Sequence, residues 1–151
     1  MRPLLPGNIR PAQIRLLPKI AVSCEDIMSE VFVPKNRLLL VSINKSIKHL
    51  PVYDAIRYAW RVDRVRVENV DLVLGCEKQI VKGVFTVSRW LDASPGDVTK
   101  RNFPGLKATH EGQRWGFEGK EASETDQNNY LGKRLPESLR IGANGVRYFG
   151  V

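Results

Sequence analysis

An α+β domain is what this sequence predicts: a mostly antiparallel curved sheet, or a small β-barrel, with two or three flanking short helices. Three observations carry that expectation. Short apolar or alternating runs recur around residues 38–43, 71–77, 80–91, 114–121 and 146–151, each with strand character. One stretch, 52–64, instead repeats its apolar residues at helical spacing. The chain has 151 residues, 42% hydrophobic and 26% charged, a composition near the globular average and a length that buries roughly two thirds of the unfolded surface.

The elements follow in order. Residues 1–36 read as a basic, proline-rich arm and connecting segment, and 37–151 as a single domain. In the arm, Arg2, Arg10, Arg15 and Lys19 face no acid within the first 20 residues, and Pro3, Pro6, Pro11 and Pro18 interrupt any ladder. Ile9, Ile14, Leu16 and Leu17 suit an arm docked on the domain. Ser23 with Asp26 resembles a helix start, whereas Val31, Phe32 and Val33 favour extended backbone.

Residues 37–43, with Leu38, Leu39, Leu40, Val41 and Ile43, form the nearly continuous apolar run of a buried strand. Pro51 suits a helix start, since its missing N–H costs nothing there. At about 100° per residue, Val52, Ala55, Ile56, Ala59 and Val62 share one side of the helix, and Arg57, Arg61 and Arg64 the opposite side.

Leu72, Val73, Leu74 and Cys76 mark a central strand that turns through Lys78 and Gln79 into a second one. Strict alternation in that strand sets Val81, Phe85, Val87 and Leu91 on one face, and Lys82, Thr86, Ser88 and Trp90 on the other. Trp90 is thereby predicted among polar neighbours. The connection 92–112 is long and turn-rich, carrying Lys100, Arg101, Phe103, Lys107 and His110, with Phe103 beside Pro104 as its anchor to the core.

Residues 114–121 alternate again, and Gly116 and Gly119 signal a bulge or a close backbone approach. Ser123 to Asp126 forms a capping-box-like helix start and Gly132 a stop. A single turn at 136–141 and a closing strand at 146–151 complete the chain.

Charge points to the partner. Lys and Arg outnumber Asp and Glu by 24 to 16, a net charge of +8 with a pI near 9.8. A surplus of this sign favours nucleic acid, because each neutralised phosphate releases counterions. Two cysteines, Cys24 and Cys76, exclude a disulfide framework. The absence of a long apolar run argues against a membrane partner, and the proline-broken N-terminus lacks a signal-peptide stretch, so a cytoplasmic location is expected.

Familiar catalytic signatures are few. Neither the P-loop nor the dinucleotide fingerprint occurs, and no serine sits in a nucleophile elbow. Cys24, His49, Cys76 and His110 are too scattered to hold zinc. Glu118-Gly119-Lys120 does match the Glu-x-Lys half-motif of restriction-endonuclease-like nucleases, with Asp71 or Asp92 as a second carboxylate for Mg²⁺.

The 55–60 helix, the Gly83-Val84-Phe85 strand, the strand from Arg114 through Trp115-Gly116-Phe117-Glu118 to Gly119, and the closing Val146-Arg147-Tyr148 together form a layout that resembles PUA-like barrels of the EVE and ASCH type. That resemblance covers residues 37–151 and implies binding of RNA or modified bases. The preferred reading is a non-catalytic domain without a cofactor, binding RNA or single-stranded or modified DNA. Arg57, Arg61, Arg64, Lys82, Lys100, Arg101, Lys107 and Arg114 would meet phosphates, and Trp90 or Trp115 would stack on bases. The alternatives are a Mg²⁺-dependent nuclease and a protein-interaction module docking an acidic partner or a second copy of the chain.

Overall fold

The structure, a computed structural model, describes residues 31–151. The expectations for the basic arm, for Cys24 and for a helix start at Ser23 lie outside the described residues. Phe32–Val151 is one compact unit, so it begins a few residues before the expected boundary at 37. Phe32 is buried against the Tyr130 ring, and the Lys35 N–H donates to the Tyr130 hydroxyl at 2.8 Å.

Five strands form one mixed sheet in the order β4-β3-β2-β1-β5: β1 (Leu38–Ser42), β2 (Leu72–Glu77), β3 (Ile80–Asp92), β4 (Trp115–Glu121) and β5 (Val146–Phe149). The fold is therefore α+β, and three of its four strand pairings are antiparallel. β4 and β5 are the two edges, so the sheet is open and the alternative of a closed barrel is corrected. β1 and β2 run parallel, which requires the long crossover connection that the chain between them supplies.

Among the described residues four short helices flank the sheet: α1 (Val52–Arg57), α2 (Arg64–Val67), α3 (Asp97–Asn102) and α4 (Glu124–Tyr130). Both sheet faces are covered. Leu38, Leu40, Leu72 and Leu74 pack under Tyr130, Leu135, Leu139 and Ile141, while Leu39, Val41 and Val73 pack under Ile56 and Val67. The unbroken apolar run of β1 is the direct consequence, since a strand covered on both sides has no polar face. Cys76 lies in the first of these clusters, where burial pushes its thiol up to about 12.

The expected helix over 52–64 is two helices with a break. α1 stops at Arg57, Ala59 takes a left-handed conformation (φ 70°), and α2 restarts at Arg64. The break comes from a tertiary pairing: the Trp60 N–H donates to the Trp115 carbonyl at 2.8 Å, and the Trp115 N–H returns to the Trp60 carbonyl at 2.9 Å. An extended Trp60 cannot also continue a helix. The Trp60 indole donates to the Ile56 carbonyl at 2.6 Å, and Asp63 caps α2 by accepting from the Val65 and Arg66 N–H groups.

The sign of one substitution tests this break. Ala59→Gly is expected to raise stability by about 1 kcal/mol, because the left-handed conformation costs a residue with a Cβ roughly that much. In a continuous helix the same change would lower stability by about as much. Thermal unfolding that shows destabilisation would reject the break.

Other local expectations hold. The Ser123 hydroxyl accepts from the Asp126 N–H and donates to the Asp126 carboxylate, and Gly132 follows α4 at φ 81°. The 92–112 connection contains α3 in addition to its turns, and Phe103 is fully buried as its anchor. A Cβ on Gly116 would meet Phe103 and the Arg57 carbonyl, which is the close approach that this glycine signalled.

Candidate nucleic-acid interface

The broken helix dismantles the expected arginine stripe. Arg57 is 13% exposed, pairs with Asp54 at 2.9 Å, and sits over the Tyr53 and Phe103 rings at 4.9 and 5.0 Å. It is neutralised and packed, and does not face solvent as a phosphate contact. Arg64 pairs with Glu68 and lies over the Trp115 ring. Arg61 is exposed and belongs to no ion pair among the described residues. A phosphate-binding helix face built from these three is therefore corrected.

Trp90 is also placed differently. It is 8% exposed and packs edge-on against Phe117, with ring centroids 5.3 Å apart. The cause is a bulge: Val87 pairs with Gly119 and Arg89 with Glu118, leaving Ser88 as an extra residue. One inserted residue inverts the alternation beyond it, so Trp90 turns inward and is not a stacking platform. Gly119 supplies the space, because a Cβ there would collide with the Thr86 carbonyl. Trp115 is half-buried, with Arg64 across its ring.

A second irregularity sits near the start of β3. Gly75 pairs with Gly83 and Cys76 with Val81, so Lys82 is the extra residue and projects to solvent. Lys100 and Arg101 are exposed in the last turn of α3, and Lys107 is exposed in the loop that follows. Lys82 and Asp92 are ten residues apart, about 30 Å along β3. The predicted cations thus divide between the two ends of the β3–β4 ribbon.

The four candidates for Mg²⁺ chemistry do not converge. Glu118 pairs with Arg89 at 2.7 Å, and that hydrogen bond holds its carboxyl below the ordinary range. Asp71 pairs with Arg37 at 2.9 Å and is likewise lowered, first by the Arg37 side chain. Burial pushes the Asp92 carboxyl up, but hydrogen bonds from Ser94 and Gln113 with the nearby Arg101 outweigh it, and the result is a lowered value. Each carboxylate is held by its own partner, and among the described residues no three His, Cys, Asp or Glu side chains gather as a metal site. Lys120 shares β4 with Glu118 and is exposed.

Lys120 instead joins Lys82 at a cleft of about 400 Å³. Its walls are Val52 and Tyr53 of α1, residues 82–85 of β3, residues 119–121 of β4, and Gln127 and Leu131 from α4 and its end. Tyr53 and Phe85 make a tilted pair with centroids 5.2 Å apart, and the Tyr53 hydroxyl accepts from the Gly119 N–H at 3.0 Å. Gln127 donates to the Val84 carbonyl at 2.9 Å, tying α4 to β3. Val52 and Leu131 are exposed at the rim, 37% and 47%.

The cleft combines an aromatic lining, an apolar rim and two cations in no ion pair among the described residues, with Glu121 as its one acid. Tyr53, Phe85 and Gln127 escaped the sequence reading because they come from three separate elements. The signal present was the tyrosine directly before Asp54 on the predicted helix. No family model, curated protein or solved structure matches the chain. Among the described residues no helix is long and apolar enough to cross a membrane.

Proposed function

We propose that the domain binds RNA or unpaired DNA, taking one base into the cleft beside Tyr53, which Phe85 backs from the core, while Lys82 and Lys120 meet the adjoining phosphates. The observation that carries this reading is the pair of exposed lysines flanking an aromatic-lined cleft of about 400 Å³. Concave, largely apolar sites with a few placed polar groups suit a small planar ligand. A base offers a face to stack, and its backbone offers charge to the lysines. A duplex keeps its bases stacked inside, so a single strand fits better. The resemblance to PUA-like domains, in element order and scattered Gly and aromatic positions, implies the same ligand class. Exposed Lys100, Arg101 and Lys107 extend the positive surface at the far end of the ribbon.

Titration of labelled RNA, single-stranded DNA and duplex DNA at several salt concentrations tests the proposal. Single strands are expected to bind more tightly than duplex, with affinity falling as salt rises. Changing Lys82 and Lys120 together to Ala is expected to reduce the slope of log K against log salt by about 1.4, two phosphate contacts at about 0.7 each. An unchanged slope in the double variant, or binding insensitive to salt, would reject the cleft as the interface.

A further inference from the structure

We propose that Arg61 and Arg114 form a two-pronged binding site for a phosphate group, separate from the cleft. The reciprocal hydrogen bonds between Trp60 and Trp115 make an antiparallel pair. Arg61 and Arg114 are the residues next to this bridge on its two sides, close enough for the Arg61 charge to act on Arg114. Like charges this close repel one another. Nothing in the described residues offsets this, since neither arginine belongs to an ion pair.

Arg114 adds the second part of the argument. It is half-buried, its Nη1 donates to the Ala59 carbonyl at 3.3 Å, and its Nε is buried without a partner. Burial pushes its pKa down, and Arg61 pushes it further. The surrounding groups are otherwise engaged: Arg64 with Glu68, and Asp92 with Ser94 and Gln113. Two guanidinium groups side by side suit an oxyanion of more than one negative charge, with the exposed Arg61 fork able to donate two parallel hydrogen bonds and Arg114 adding its charge. A phosphate between them converts the repulsion into attraction.

The phosphate could belong to a nucleic acid or to a small phosphate compound, and the experiment separates the two. The full chain is unfolded thermally in sodium chloride and in sodium phosphate at equal pH and ionic strength. Phosphate is expected to raise the melting temperature, by about 4 °C per tenfold increase once the site is filled. Arg61→Ala should melt higher than the parent in chloride, because the repulsion between the two charges is gone, and should lose the phosphate increment. That opposite pair of effects is not what loss of a structural contact produces. Lys48→Ala, which removes an exposed lysine outside the pair, should keep the increment.

In a second arm, 5′-phosphorylated and 5′-hydroxyl oligonucleotides are compared on both proteins. Tighter binding of the phosphorylated strand that disappears in Arg61→Ala identifies a strand end as the ligand, whereas a response to inorganic phosphate alone identifies a small phosphate compound. Equal melting in chloride and phosphate, or equal loss of the increment in Arg61→Ala and Lys48→Ala, overturns the proposal. Either failure leaves the Lys82–Lys120 cleft to stand or fall on its own titration.

Discussion

Ile56→Ala is expected to lower stability by about 2–5 kcal/mol, the range for emptying a fully buried aliphatic site. Ile56 reaches the sheet at two paired glycines. Gly75 on β2 pairs with Gly83 on β3, and a Cβ on either would lie 2.5 Å from Ile56 Cδ1. The glycines therefore make a notch into which α1 is set. Gly75→Ala is expected to cost about 1–3 kcal/mol by overpacking. Combining the two changes should cost less than their sum, because the added methyl enters space that the shortened side chain has left, with a coupling of about 0.5–3 kcal/mol. Equilibrium denaturation of the four proteins measures that coupling, and strict additivity would show that the notch does not seat Ile56. The consequence reaches function, since Gly83, Val52 and Tyr53 all line the cleft that this contact positions.

Trp90→Ala is expected to cost about 3–5 kcal/mol and to leave the salt dependence of nucleic-acid binding unchanged. The indole is buried against Phe117, so its removal opens a cavity in the core on that sheet face and removes no exposed stacking surface. Trp90→Phe should recover much of the stability, since an aromatic ring can still meet Phe117 edge-on. A variant whose melting is unaltered but whose binding is weakened would place Trp90 at the interface and contradict the packing. Stability by chemical denaturation and binding by titration separate the two outcomes.

Trp90 also shows where legibility ended. Alternation is a local count of two, and it assigned Trp90 correctly for an uninterrupted strand. A single extra residue at Ser88 reverses the count for everything beyond it, and the space for that residue is provided on another strand by Gly119. The glycine was visible as a signal of a bulge or close approach, but the sequence did not say which partner strand would carry the insertion. Lys82 shows the opposite case. It was expected at the surface by parity and is exposed, although it occupies a bulge of its own.

The arginine stripe failed for a related reason. Helical spacing over 52–64 is real in the letters, yet Trp60 makes two hydrogen bonds to Trp115 that an uninterrupted helix would forbid. Asp63, next to last in that stretch, is a helix-capping residue and was the local clue to a restart. The parallel pairing of β1 with β2 was likewise implicit in the order of strand, helices and strand.

Residue order alone was sufficient for the α+β class, the positions of all five strands, the Lys78–Gln79 turn, the Ser123 cap and the positive charge, because each depends on periodicity, turn chemistry or composition within a few neighbours. The open sheet, the inward Trp90, the neutralised Arg57 and Arg64, and the meeting of Tyr53, Phe85, Lys82 and Lys120 arose from contacts between distant segments. A side chain's exposure is set by what packs against it. In this domain those neighbours come from strands and helices that no local window contains.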